Sequence, residues 1–102
     1  MGVDVAWEDA NGDVLENLVD DGNYVAKLMA YMPIGGSHCL AYIDEYGGTT
    51  FNRLQVPRLL EELDEIPTDA LDARTREFLE RLRGLAERCI REVHTYLKFS
   101  GD

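Results

Sequence analysis

The chain has 102 residues, with 20 acidic against 10 basic side chains and a formal net charge of −10 at neutral pH. A single domain over residues 1–102 buries about two-thirds of the surface its unfolded chain exposes, enough for one core without metal or disulfide staples. The acidity argues against binding to phosphate backbones or anionic membrane surfaces, and no apolar run approaches the roughly 20 residues of a spanning helix.

Residues 3–8 alternate, with Val3, Val5 and Trp7 on one side and Asp4, Ala6 and Glu8 on the other, the period of a half-buried strand. Asn11-Gly12 supplies the left-handed backbone of a tight turn, and residues 14–19 return as a second strand. Residues 23–32 fit two patterns. Val25, Leu28, Met29 and Met32 mark a helical face, Tyr24, Ala26, Leu28 and Ala30 alternate, and a short helix is the reading adopted. Pro33 and the Gly35-Gly36-Ser37 run then form a loop.

The apolar stretch His38 to Ile43 reads as a central strand, with Asp44 to Gly48 as a turn and residues 49–52 as its hairpin partner. Pro57 opens a helix whose stripe is Leu59, Leu60 and Leu63 and which stops before Pro67. The strongest element is an amphipathic helix over residues 69–95, capped by Thr68 or Asp69, with Leu82, Leu85, Cys89 and Val93 in its buried stripe. Opposite charges four apart lace its outer face, among them Arg76/Glu80, Glu77/Arg81 and Arg88/Glu92. Residues 96–99 alternate again and add a final strand. The expected class is α+β: a small, mainly antiparallel sheet of three to five strands on a long C-terminal helix, with one or two shorter helices.

The N-terminus lacks the basic start and apolar stretch of a secretory signal, and Cys39 and Cys89 both fall in core-like segments. A cytoplasmic location with two buried free thiols is the expectation. No spacing of His, Cys, Asp and Glu suits a metal, and neither a cofactor nor a catalytic residue is assigned. His38, at the start of the expected strand, and His94, at the end of the long helix, are expected to lie far apart.

Charge is the most informative feature. Residues 1–72 carry 15 acids and 3 bases, whereas residues 73–102 carry 5 acids and 7 bases. The expected function is a small acidic interaction or regulatory domain, inhibitor-like or immunity-like in charge and size, that docks on a basic protein partner through Asp44, Glu45, Tyr46, Glu61, Glu62 and Glu65. A second feature is the row Arg74, Arg81 and Arg88, one heptad apart along the border of the apolar stripe, which marks a self-association edge and a homodimer. The alternatives are a homo-oligomeric structural domain, or a ligand binder or enzyme whose site lies between the sheet and residues 23–37, lined by Tyr24, Met29, Tyr31 and Met32.

Overall fold

The computed structural model describes residues 2–31 and 39–101. Strand β1 (Asp4–Asp9) and strand β2 (Val14–Leu18) form the N-terminal hairpin. Its turn is built by Asp9, whose Oδ1 accepts the N–H groups of Asn11 at 2.9 Å and Asp13 at 3.0 Å, and by Gly12, which takes a φ of 84°. Trp7 pairs with Glu16 but Glu8 with Val14, so a bulge absorbs one residue of β2.

Beyond the hairpin the chain is anchored by a buried carboxylate. Asp20, 5% exposed, accepts the N–H of Val3 at 2.9 Å, of Tyr24 at 2.6 Å and of Val25 at 3.3 Å. Those last two donors open helix α1 (Tyr24–Met29), so Asp20 caps a helix from outside it and fastens it to the start of β1. The short helix expected in residues 23–32 is present.

Residues 39–43 do not form the central strand expected over residues 38–43. His38 lies outside the described residues, and Leu40–Tyr42 wind into a single 3-10 turn. Glu62 is the cause, because its carboxylate takes the N–H groups of Cys39 and Leu40 that a strand would have offered to a neighbour. Strand β3 (Gly48–Asn52) pairs with the last strand rather than with residues 39–43. Helix α2 (Val56–Asp64) has Pro57 in its first turn, as expected.

The long helix α3 runs Ala73–Arg91, shorter at both ends than residues 69–95. Its cap is neither Thr68 nor Asp69, which lie in a 3-10 turn, but Asp72, whose Oδ1 accepts the N–H of Thr75 at 2.8 Å. At the far end the Thr95 hydroxyl donates to the carbonyls of Glu92 at 2.8 Å and Cys89 at 3.2 Å, and His94 takes a φ of 61° to reverse the chain. Leu82, Leu85 and Cys89 are buried as expected, but Val93 lies beyond the helix and is 61% exposed.

Strand β4 (Thr95–Ser100) completes an antiparallel sheet of order β2-β1-β4-β3. Rows of partners Val5–Phe99–Thr49 and Trp7–Leu97–Phe51 face the helices, with Phe51 and Phe99 edge to face at 5.7 Å. Against them pack Val56, Leu59 and Leu63 of α2 and Phe78, Leu82 and Leu85 of α3. The opposite face carries Ala6–Lys98–Thr50 and Glu8–Tyr96–Asn52, the polar alternation of a sheet with one wet side. The molecule is α+β, a four-stranded antiparallel sheet under a long C-terminal helix.

Candidate functional site

The residues read as a docking face divide into two groups. Asp44, Glu45 and Tyr46 form the exposed turn before β3, where the Asp44 carboxylate accepts the N–H of Tyr46 at 2.9 Å. Glu45 and Tyr46 border a shallow hollow with Asn23 and Ala26, at the start of α1. Glu61 and Glu65 lie exposed on α2 and just past it, Glu61 paired with Arg58 at 3.1 Å. Glu62 corrects the sequence reading. It is 2% exposed and turned inward, onto Cys39 N–H at 3.0 Å, Leu40 N–H at 3.0 Å and the Arg58 guanidinium at 3.5 Å, so it holds the fold and offers nothing to a partner.

The arginine row flanks edge strand β2. Arg74 and Arg81 line a groove of about 470 Å3 between β2 and α3, together with Leu18, Tyr24, Phe78 and the carboxylates Asp21 and Glu77. Arg88, the third of the row, forms an ion pair with Glu16 of β2. The expected pairs four apart on α3 do not form. Arg83 reaches Asp64 of α2 at 2.7 Å, and Arg76 donates to the carbonyls of Leu71 at 2.9 Å and Thr68 at 3.2 Å. Arginine is long enough to bridge elements, and partners held by tertiary packing lose less entropy than two mobile side chains on one helix.

Residues 23–31 pack on the core while Tyr24 also borders the groove beside β2, and residues 32–37 of the expected site lie outside the described residues. Tyr24 stacks on Phe78 with centroids 5.2 Å apart, Met29 packs on the core, and the Tyr31 hydroxyl donates to Ala70 O at 3.3 Å. Met32 and His38 lie outside the described residues. Cys39 and Cys89 are free and buried. Burial pushes both thiols up, helped at Cys39 by the charge of Glu62 and opposed by Arg58. Among the described residues no group of three or more His, Cys, Asp and Glu is placed to hold a metal ion, and no helix is long and apolar enough to cross a membrane.

Sequence reasoning missed one site. The turn from β3 to α2 and the turn from α3 to β4 meet at one end of the sheet and border a shallow, open hollow of about 210 Å3 lined by Asn52, Arg53, Leu54, Val93, His94, Thr95 and Tyr96. Leu54 is 82% exposed, and Val93 stands across the hollow from the same turn. The Leu54 signal was present in the sequence, as a large aliphatic residue inside an otherwise polar turn, Asn52-Arg53-Leu54-Gln55. Val93 was hidden because it continues the heptad stripe of α3.

Compared with protein-family models, curated proteins and solved structures, the chain matches none. The functional argument therefore rests on surface chemistry.

Proposed function

We propose that this protein is a small interaction domain whose acidic surface docks on a basic protein partner. The observation that supports it is uncompensated surface charge. Among the described residues, Glu45, Glu65 and Asp69 are exposed with no ion pair or side-chain hydrogen bond, while five of the ten bases, Lys27, Arg58, Arg76, Arg83 and Arg88, are already engaged within the molecule. Exposed charge of one sign raises the encounter rate with an oppositely charged surface and disfavours like-charged competitors. The two free, buried thiols support a reducing compartment such as the cytoplasm.

The test is affinity capture from cells that make the protein, at low and high salt, beside the triple variant Glu61→Lys/Glu65→Lys/Asp69→Lys. All three positions are exposed, so the variant should fold. Basic proteins held by the wild type at low salt, released by salt and not held by the variant, are the expected result. Partners retained equally by the variant, or at every salt concentration, would refute the reading.

A further inference from the structure

We infer that the hollow between the β3–α2 and α3–β4 turns is a second docking site, one that takes an apolar side chain flanked by a carboxylate from an acidic segment of a partner protein. This inference stands apart from the acidic face and calls for the opposite partner chemistry.

Three observations meet there. First, Leu54, 82% exposed, and Val93, 61% exposed, line the same hollow with the Tyr96 ring, whereas single exposed aliphatic residues are ordinary. Second, neither turn uses its aliphatic side chain to hold its shape. Asn52 Oδ1 accepts the N–H groups of Leu54 at 2.9 Å and Gln55 at 3.1 Å, and Gln55 Oε1 accepts the N–H of Asn52 at 2.9 Å. Opposite, the Thr95 hydroxyl and the left-handed His94 fix the backbone around Val93. Both side chains are thus displayed by backbones already set, which lowers the ordering cost of binding.

Third, the charge here departs from the rest of the surface. In a chain with 20 acids, no carboxylate is among the described residues lining the hollow. Arg53 lines it, and among the described residues its guanidinium has no ion pair or hydrogen bond. An apolar surface beside an unengaged guanidinium suits a leucine-like or aromatic side chain next to a carboxylate, which the planar fork of arginine binds through two parallel hydrogen bonds. A second copy of the chain is the competing occupant, which the response to protein concentration alone distinguishes.

The experiment follows backbone amide shifts of the isotope-labelled full chain during titration with three blocked pentapeptides: Gly-Asp-Leu-Asp-Gly, Gly-Lys-Leu-Lys-Gly and Gly-Asp-Gly-Asp-Gly. The expected result is a saturable shift at Leu54, Val93 and Thr95 with the first peptide alone. Arg53→Glu should weaken that peptide about tenfold and admit the lysine peptide, and Leu54→Ser should weaken it several-fold. The triple variant of the acidic face should bind it unchanged, which separates this inference from the proposed function. No shift at these amides, equal shifts with the lysine peptide, or shifts that arise on concentrating the protein alone would overturn it, the last by showing a second copy in the hollow.

Discussion

The carboxylate of Glu62 on α2 accepts the backbone N–H of Leu40 at 3.0 Å, across 22 positions of sequence, and with Cys39 N–H it fixes the turn that a strand would otherwise have occupied. Replacing Glu62 by Ala leaves two buried donors without their acceptor, a loss of about 2–4 kcal/mol. Glu62→Gln keeps one acceptor oxygen and should lose less. Urea unfolding of the three proteins measures the order, and an unchanged midpoint for the Ala variant would show that the turn stands without it.

Two glycines should respond in opposite directions. Gly84 lies within α3 with no atom within 4 Å of where a Cβ would sit, so Gly84→Ala should stabilise the protein by about 0.5–1 kcal/mol through helix propensity. At Gly101 a Cβ would fall 2.1 Å from the carbonyl oxygen of Glu45, a backbone atom that cannot swing aside. Gly101→Ala should therefore cost about 1–3 kcal/mol. Thermal unfolding of both variants decides, and the same sign for the two would contradict this packing.

The pH dependence should carry the mark of Asp72. The N–H of Thr75 holds its carboxyl below the usual carboxylate range, with the Lys27 charge acting the same way. A group depressed in the folded state stabilises it above its unfolded pKa, near 3.9, and loses that contribution as pH falls through the folded value. The stability advantage of wild type over Asp72→Ala should thus be full at about pH 6 and vanish toward about pH 2. Urea midpoints for both proteins across that range provide the check; an advantage constant with pH would assign the cap to geometry alone.

Both thiols should be slow to react. Cys39 and Cys89 are buried and their pKa values are raised, so little thiolate is present and reagent access is poor. Ellman's reagent at mildly alkaline pH should label neither in the native protein and both in urea. Rapid native labelling at Cys39 would mean that the turn at Leu40–Tyr42 opens readily.

Where the fold follows from local pattern, the sequence was a sufficient guide. The alternation of Val3, Val5 and Trp7, the stripe of α2 and the heptads of α3 each state their element and its buried face. What escaped depends on contacts distant in sequence. Cys39 to Ile43 is apolar enough for a strand, and only Glu62 makes it a turn. Val93 satisfies the period of α3, and only the Thr95 hydroxyl and the His94 backbone end the helix before it. Of the acidic residues read as a docking face, Glu62 points inward for a reason no charge count reveals. The hollow at Leu54 joins residues about forty positions apart, so its parts were visible singly and its existence was not.

Strand β4, formed by residues 95–100, is the neighbour of both β1 and β3. During synthesis, then, the β1–β2 hairpin waits with one edge open, and β3 has no partner strand among the described residues, until the ninety-fifth residue and its successors are added. A ribosome that stalls before that point would leave a hydrophobic half-sheet exposed, a species that chaperones and proteases recognise. Premature stop codons upstream of Thr95 should therefore yield degraded or aggregated product rather than a shortened, folded domain.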